Sequence, residues 1–305
     1  MVKSPVERIG ALVAMFLPIM GTLAAIWLAF VNGYVRSADL WLLFWMYLAT
    51  GLGITVGFHR MLTHQSFRPT LPVKFLFLML GSMALQGPAI YWATVHWKHH
   101  VHSDTDADPH SPWWWRGIDL RGFMASPWHR IKLRALAFWN AHMGWLFQGT
   151  IPWDESDPVQ QRFRRDALVV FMSRTFVVWV VLRFALCWLI GGLPGMLWGG
   201  CVAILLTQQV TYLVNSATHV VGWKDFDTTD ESRNNPVVAL LAKGEGWHNN
   251  HHKFMWSARH GLTWWQFDLS YVVIWVMQRL RLVSEVRLPK PSQIQAGVRR
   301  HSASA

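Results

Sequence analysis

The chain has 305 residues, of which 52% are hydrophobic and only 15% are charged, and it contains 21 tryptophans. Soluble domains carry about 25% charged residues, so this composition argues against a soluble protein and for one embedded in lipid. Lysine and arginine total 28 against 17 acidic residues, yet these cations flank apolar runs, which is typical of membrane topology and argues against nucleic acid as a partner.

Two apolar runs begin the chain and predict a first membrane hairpin. Residues 12–31 contain no charge and are long enough to cross a hydrocarbon core of about 30 Å at about 1.5 Å per residue. Residues 40–58 form the second run. Its last residues begin the motif GITVGFHRMLTH, residues 53–64, which places His59 and His64 where the helix leaves the lipid. The first run lacks a small-residue cleavage site, so we expect a retained helix and not a removed signal peptide.

The apolar segment 71–93 decides whether the histidines can meet. Lys74, Gln86 and Pro88 interrupt it, and its length alone fits a spanning helix as well as a buried or interfacial one. If it spanned, the histidines of GITVGFHRMLTH would lie on the opposite membrane face from those of HWKHH. We therefore predict that this segment does not cross the membrane.

The runs 167–190 and 195–214 predict a second hairpin, with the tight turn GGLPG between them. We expect Arg174 to reach one interface and Arg183 to face the helix bundle or the other interface. Cys187 and Cys201 are predicted to be small buried hydrophobic residues, because a disulfide or zinc framework needs more cysteines. The motif NSATH, residues 215–219, follows this second hairpin. It ends in a histidine, just as the first hairpin is followed by two histidines.

The distribution of positive charge predicts the orientation. Twelve lysines and arginines lie between the hairpins and one lies in the connecting turns, so the histidine-bearing side and both termini are predicted to be cytoplasmic. The predicted fold is an all-α, multi-pass integral membrane protein, with four transmembrane helices in two hairpins and a cytosolic helical cap. One domain, 1–288, includes this cap at 59–166 and 215–288, with an amphipathic or interfacial helix at 264–282. The basic tail 289–305 is predicted to be disordered.

Three groups of histidines are candidate metal ligands. In HWKHH and HNNHH the imidazoles fall at positions i, i+3 and i+4 of one helix face, so each triplet can surround one volume. The histidines of GITVGFHRMLTH are five residues apart and converge only if their helix ends or bends between them. With one more histidine from NSATH, the nine candidates are His59, His64, His96, His99, His100, His219, His248, His251 and His252.

Nine ligands exceed the four to six that one ion takes, so two metal ions are predicted. All-nitrogen ligation suits iron, zinc, copper or nickel, and oxygen chemistry would select iron because zinc has no redox states. Asp104, Asp106 and Asp108 either orient imidazoles or form a solvated loop. The remaining histidines are interpreted as surface or satisfied core residues: His102, His110, His129, His142, His260 and His301.

The motifs GITVGFHRMLTH, HWKHHVHSDTDADPH, NSATH and GEGWHNNHH, in this order between 47 and 256, resemble the histidine boxes of the membrane fatty acyl desaturases. They are most similar to the Δ9 acyl-CoA (stearoyl-CoA) type in its bacterial form. The resemblance implies a desaturase that uses O2 and two iron ions held by the nine histidines, with Asn215 reaching a metal through water. It also implies a bent acyl tunnel shaped by Gln86, Trp92 and Thr211, with Tyr47 and Gly51 near the methyl end of the chain.

The same resemblance implies the partners and the location. The substrate would be an acyl-CoA or an acyl-lipid in a bacterial inner membrane. A separate donor, a ferredoxin or a cytochrome b5-like protein with its reductase, would supply electrons, because the sequence contains no HPGG segment. Three departures leave the acyl carrier open: HWKHH replaces HRxHH, Gly87–Pro88 follows Gln86, and residues 112–133 form an insertion.

Two other functions fit parts of the pattern. A di-iron membrane hydroxylase or alkane monooxygenase shares the histidine arrangement, and its products would distinguish it. A membrane metal transporter or zinc-binding protein would carry polar ligands inside its spans. The first two apolar runs contain almost none, which argues against that class.

Overall fold

Two long apolar helices begin the structure, a computed structural model that describes residues 5–33, 35–124, 126–147 and 156–298. Helix α1 covers Pro5–Asn32 and helix α2 covers Ser37–Leu52, which continues without a break into a π-helix, Gly53–Thr63. Within them, Ile9–Asn32 and Ser37–Thr63 are long and apolar enough to cross a membrane. The 24 residues of the first segment extend about 36 Å.

The predicted run 71–93 is divided between two helices. After strand β1, Arg68–Pro69, helix α3 covers Leu71–Ser82 and helix α4 covers Ala89–His102. The 12 residues of α3 extend about 18 Å, well short of a hydrocarbon core of about 30 Å. Helix α3 lies directly on the π-helix, because a Cβ on Gly53 would be 2.2 Å from the backbone nitrogen of Gly81.

The first half of the cap contains a short hairpin and two helices. Strand β2, Trp114–Trp115, pairs antiparallel with strand β3, Ile118–Asp119. Helix α5 covers Pro127–His142, and the Ser126 side chain accepts a hydrogen bond from the His129 backbone at its start. A 3₁₀ turn, Gly144–Phe147, and helix α6, Pro158–Arg164, complete this half.

The run predicted as a span at 167–190 begins later in the structure. Helix α7, Ala167–Arg174, is separated from helix α8, Phe176–Gly195, by a break at Thr175. Val169 and Met172 of α7 are fully buried in the protein core, so α7 belongs to the cap. The candidate membrane segment of the structure starts at Phe176, nine residues after the predicted start at residue 167.

The third candidate membrane segment, Phe176–His219, is 44 residues long, about twice the length that one crossing needs. It combines α8, a π-helix at Met196–Val202, helix α9 at Ala203–Ser216 and a 3₁₀ turn at Ala217–His219. Gly192 interrupts it with a φ of 63° and a ψ of −153°. The described residues thus contain three candidate spans.

Contacts across Gly192 show that the chain reverses there. Arg183 is fully buried, and its Nη2 donates to the carbonyl of Gly199 at 2.8 Å. Sixteen residues of straight helix would separate these groups by about 24 Å. Arg183 faces the helix bundle, which is one of the two alternatives predicted for it. Cys187 and Cys201 are free and buried, as predicted.

The second half of the cap follows α9. It contains helices α10, Pro236–Leu241, α11, His248–Lys253, and α12, Leu269–Arg279, then strand β4, Val283–Ser284, which pairs with β1. The interfacial helix predicted at 264–282 thus starts at Leu269, where Asp268 caps it. A last helix, α13, covers Pro291–Gly297 inside the segment predicted to be disordered. The reason is local: the Lys290 backbone N–H donates to the Gln293 side chain at 2.8 Å at its start.

The main hydrophobic core lies between the cap and the first π-helix. It packs Phe58 of the π-helix against Leu78 of α3, Ile90 of α4, Met172 of α7 and Ile274 of α12, all of them fully buried. This core fixes the π-helix and α4 relative to each other. Both elements carry histidines of the site.

Candidate metal centre

The π-helix brings His59 and His64 together. Its hydrogen bonds run from residue i+5 to residue i, as the His64 backbone nitrogen to the His59 carbonyl shows at 3.1 Å. This wider turn places residues five apart nearly above each other, and the two ring centroids are 4.7 Å apart. The helix widens where we expected an end or a bend, which is a common use of π-helical turns at functional sites.

Five imidazoles form the first group, called here the five-histidine cluster: His59, His64, His96, His100 and His251. The Nε2 atoms of His64 and His96 are 3.1 Å apart, and those of His251 and His100 are 2.9 Å apart. Two nitrogens bound cis to one metal ion at about 2.1 Å would be roughly 3.0 Å apart. The spacing of the five-histidine cluster therefore fits a metal ion.

Four imidazoles form the second group, called here the four-histidine cluster: His99, His219, His248 and His252. The Nε2 atoms of His219 and His248 are 3.0 Å apart. The Nε2 atoms of His99 and His252 are buried and have no hydrogen-bond partner among the described residues. Unpaired buried nitrogens are costly unless a ligand completes them, so this cluster also fits a metal ion.

Helices α4 and α11 each contribute to both clusters. On α4, His96 and His100 belong to the five-histidine cluster and His99 belongs to the four-histidine cluster. On α11, His251 belongs to the five-histidine cluster, and His248 and His252 belong to the four-histidine cluster. Residues i and i+4 lie about 40° apart around a helix and residue i+3 lies about 60° to the other side. The expectation that each triplet surrounds one volume was therefore wrong.

Carboxylates hold the outer nitrogens of four imidazoles. Glu245 contacts Nδ1 of His59 at 2.6 Å, Asp104 contacts Nδ1 of His219 at 2.8 Å, and Asp230 contacts Nδ1 of His252 at 2.7 Å. Asp108 contacts Nδ1 of His99 at 3.0 Å. Such contacts fix the ring and leave Nε2 for the metal. Of the three aspartates left open by the sequence, Asp104 and Asp108 orient imidazoles, and Asp106 is exposed.

Sequence reasoning missed a buried charged network behind His59. Arg60 is fully buried, donates to Glu245 at 3.0 Å and forms an ion pair with Asp268 at 3.0 Å. His260 lies 3.3 Å from Glu245. The available signal was position: Glu245 stands inside GEGWHNNHH, and Arg60 directly follows a candidate ligand.

Electrostatics favour neutral rings at four of the candidate ligands and an ionised Glu245, whereas at His219 the contact with Asp104 outweighs burial and raises the pKa to about 9. Burial and neighbouring imidazoles lower the pKa of His96, His100, His248 and His251 well below the ordinary value. Burial opposes ionisation of Glu245, but His59 and Arg60 hold its pKa well below the usual range. Neutral imidazole is the form that binds metal, so these four rings are ready for a cation.

The histidines set aside by the sequence differ in their surroundings. His102 and His129 are exposed, and His142 is hydrogen-bonded to Gln209 and Ser216. His110 is buried with its ring 4.4 Å from that of His99. His260 is buried behind His59, as described above, and His301 lies outside the described residues.

Two cavities adjoin the clusters. The first is lined by Gln86, Tyr91, Trp145 and Tyr212 among others; the second is lined by Gly51, Ile54, Thr55 and Lys243 among others. Their shared lining consists of Trp92, His96, Thr211 and Asn215. The two cavities therefore meet beside the five-histidine cluster.

The residues expected to shape a bend lie where the cavities meet. Gln86 donates to the Thr211 hydroxyl at 2.9 Å, and the Trp92 indole donates to Gln86 at 3.1 Å. Asn215 borders both cavities, and the second cavity also reaches His248. The structure thus brings together three of the five predicted tunnel residues and Asn215.

The other two predicted tunnel residues meet a lysine that sequence reasoning missed. Lys243 is buried, and its Nζ lies 3.7 Å from the centroid of the Tyr47 ring. A Cβ on Gly51 would be 2.3 Å from this Nζ. Burial lowers the pKa of Lys243 to about 8. Gly51 lines the second cavity, whereas Tyr47 donates its hydroxyl to the Leu241 carbonyl at 2.7 Å.

Comparison with known proteins agrees with this site. The fatty acid desaturase profile matches residues 39–278. The hex-5-enoyl-[acyl-carrier protein] acetylenase of Moorena producens (strain JHB) is 36% identical over 292 residues, 92% of this chain and 86% of that protein. The chloroplastic palmitoyl-monogalactosyldiacylglycerol delta-7 desaturase of Arabidopsis thaliana is 40% identical over 260 residues, 83% of this chain and 63% of that protein. The sn-1 stearoyl-lipid 9-desaturase of Anabaena variabilis is 36% identical over 252 residues, 83% and 84% of the two chains.

The fold and the site define a class of protein: a helical protein with histidine clusters beside candidate membrane spans. The chain belongs to the fatty acid desaturase family, and the resemblance predicted from its motifs is confirmed. It is an oxidoreductase that acts on acyl chains with O2, in a family that generally depends on iron.

Proposed function

We propose that this protein is a fatty acyl desaturase that inserts a cis double bond, at Δ9, into a saturated acyl chain, using two iron ions. The observation that supports this most directly is that two cavities meet beside His96, which belongs to the cluster of five imidazoles. A second cluster, of four imidazoles, accompanies it. A relative named as an sn-1 stearoyl-lipid 9-desaturase supports the Δ9 position.

Each cluster would hold one iron ion. The nine imidazoles, and Asn215 through water, form the proposed ligand set, and the carboxylates on the Nδ1 atoms would keep the rings oriented. Methylene C–H bonds do not react with side-chain acids or bases, so the chemistry needs a metal oxidant. When bound, iron supplies that oxidising power from O2 and external electrons.

The overall reaction converts –CH2–CH2– to –CH=CH–. It consumes one O2, two electrons and two protons and releases two molecules of water. The protein's own residues bind and position the chain in this reaction. The hydrogen-bonded set of Gln86, Trp92 and Thr211 would hold the bend, so that one pair of methylenes faces the clusters.

The second cavity would take the methyl half of the acyl chain. Its lining contains Ile54, Val210 and Val214, which suit a hydrocarbon. Gly51 and Lys243 would end it, with Tyr47 behind the lysine. The first cavity, lined by Trp145 and Tyr212, would take the half that leads to the carrier, an acyl-CoA or an acyl-lipid.

The membrane arrangement is part of the proposal. The reversal at Gly192 supports two crossings by the third candidate segment and therefore four spans in two hairpins. The positive charge between the hairpins supports a cytoplasmic site and termini in a bacterial inner membrane. A ferredoxin, or a cytochrome b5-like protein with its reductase, would deliver the electrons.

Fatty-acid profiling of a desaturase-deficient host that expresses this chain tests the proposal. We expect a new cis-monoene with its double bond at Δ9, located by mass spectrometry, and none from a host that expresses the His251→Ala variant. Hydroxy-acids alone would identify a hydroxylase and contradict the proposal. A triple bond, as the name of the Moorena producens relative suggests for that protein, would also contradict it.

A further inference from the structure

Helix α5 carries an exposed apolar stripe outside the metal centre. Trp128 is 76% exposed, Ile131 is 61% exposed and Trp139 is 50% exposed. At 100° per residue, positions 128, 131, 135 and 139 fall within about 80° of one another around the helix. Large apolar side chains so aligned on an exposed face indicate an interaction surface.

Positive charge borders the stripe. Arg130, Lys132 and Arg134 are exposed, and the helix contains no acidic residue from Pro127 to His142. Lys132 lies about 60° from the stripe centre on one side and Arg134 about 100° on the other, whereas Arg130 lies about 140° away. Aromatic and aliphatic residues on one face with lysine and arginine beside them are typical of helices that lie in a membrane surface.

The C-terminal end of α5 is fixed to the candidate membrane helices. His142 is hydrogen-bonded to Gln209 and Ser216 of α9 at 3.0 Å each. Just after the helix, Met143 and Trp145 pack with Met15 of α1. From this anchor the 16 residues of α5 extend about 24 Å. The end of α5 is thus held against two segments that are long and apolar enough to enter lipid.

We propose that α5 lies on the membrane surface, with Trp128, Ile131 and Trp139 inserted between lipids and Lys132 and Arg134 bound to anionic headgroups. Lipid fits this surface better than an acidic protein does, because the end of the helix is fixed to candidate membrane segments and the cations that border the stripe gain from an anionic bilayer. The helix lies next to the first cavity, which Trp145 and Leu146 line. Bound lipid would therefore lie beside the entrance that an acyl-lipid needs.

A cysteine-attached fluorophore tests this placement in the full-length protein. Both native cysteines are buried, so a thiol-reactive, environment-sensitive dye will label an added surface cysteine selectively. We choose Ile131→Cys on the stripe and His129→Cys, about 120° from the stripe centre, as the matched control. The proteins are placed in nanodiscs of phosphatidylcholine with or without phosphatidylglycerol, and quenching by lipids spin-labelled near the headgroup is measured.

We expect quenching at position 131 to be at least about threefold stronger than at position 129 in nanodiscs that contain phosphatidylglycerol, and weaker without it. Lys132→Glu/Arg134→Glu should lose this dependence on phosphatidylglycerol, and Lys132→Arg/Arg134→Lys should keep it. Equal quenching at the two positions, or quenching independent of phosphatidylglycerol, overturns the proposal. Protection of position 131 only after an acidic soluble protein is added also overturns it, in favour of a protein partner.

Discussion

The five-histidine cluster and the four-histidine cluster are built from the same two helices, α4 and α11, but their surroundings differ. In the four-histidine cluster, three aspartates contact the Nδ1 atoms of His99, His219 and His252. In the five-histidine cluster, His59 alone has such a carboxylate, Glu245, among the residues that the structure describes. The Nδ1 atoms of His64 and His251 are buried without a partner among the described residues.

The clusters also differ in their access to the cavities. His59 and His96 of the five-histidine cluster line them, whereas His248 alone represents the four-histidine cluster in the cavity linings described above. The five-histidine cluster thus has more candidate ligands and faces the proposed substrate space, and the four-histidine cluster has fewer candidate ligands but more rings held by carboxylates. The two clusters would therefore retain metal by different means. The five-histidine cluster would rely on the number of its imidazoles, and the four-histidine cluster would rely on carboxylates that hold its imidazole rings in orientation.

Removing a single ligand should have the largest effect and should expose this difference. We expect His248→Ala and His64→Ala each to reduce desaturation at least about 100-fold, because both would leave an incomplete metal site. Iron content, measured by plasma emission on purified protein, should fall further in His248→Ala, which leaves three imidazoles, than in His64→Ala, which leaves four. His102→Ala, at an exposed position, is the control. Equal iron loss in the two ligand variants would remove the difference between the clusters.

Neutralising a carboxylate should have the next largest effect. Asp104→Asn keeps the shape but weakens the hold on His219, and we expect a 10- to 100-fold loss of metal affinity, roughly the usual cost at such positions. Metal release to a competing chelator gives the measurement, and Asp106→Asn at an exposed position should show no change. Glu245→Gln should lose less, because the five-histidine cluster keeps four other ligands; a greater loss there would reverse the comparison.

The sequence predicted which nine imidazoles lie in the two clusters but not how they divide between them. The nine imidazoles were evident because i, i+3 and i+4 spacing on helices is visible in the letters. Their separation into five and four depends on how α4 and α11 are rotated about their axes, which long-range packing decides. The π-helix that joins His59 to His64 was missed for a related reason: its wide turn depends on contact with α3, including the close approach of Gly53 to Gly81.

Charged residues behind the ligands were the hardest to predict. Asp104 and Asp108 were candidates only because they follow HWKHH closely, and the solvated-loop alternative could not be dismissed without their contacts. Arg60 and Glu245 are 185 residues apart in the chain, and no periodicity links them. The helix boundaries show the same limit, since the break at Thr175 lies inside the run 167–190 that the sequence predicted as one span.

Acid should destabilise the metal-free protein through the five-histidine cluster above all. Burial lowers the pKa of His96, His100 and His251 in the folded state, so the unfolded chain binds more protons below its ordinary pKa of about 6.5. The contribution to stability is therefore complete above about pH 6.5 and is lost as the pH falls, by up to about 1.4 kcal/mol per pH unit for each ring. Thermal unfolding in detergent between pH 7.5 and 5.5 measures this slope.

Variants identify the source of that slope. His251→Asn removes one buried neutral imidazole and should give a shallower dependence on pH than the parent protein. His102→Asn removes an exposed one and should leave the slope unchanged. If both variants behave alike, titration elsewhere in the chain must cause the acid sensitivity.

The smallest expected effect on turnover, and the most specific one, lies at the far end of the second cavity. Lys243→Ala would remove the side chain that touches the position of a Gly51 Cβ, and we expect preferred substrates to lengthen by roughly two to four carbons, because each added methylene would gain apolar contact. Iron content should stay at the parent level, since Lys243 contacts neither cluster. Lys243→Met keeps the length of the side chain without its charge and should keep the parent chain-length preference. Competition between saturated substrates of graded length gives the measurement. An unchanged preference in Lys243→Ala would mean that the cavity ends elsewhere, and iron loss would mean that the lysine supports the five-histidine cluster through Glu245.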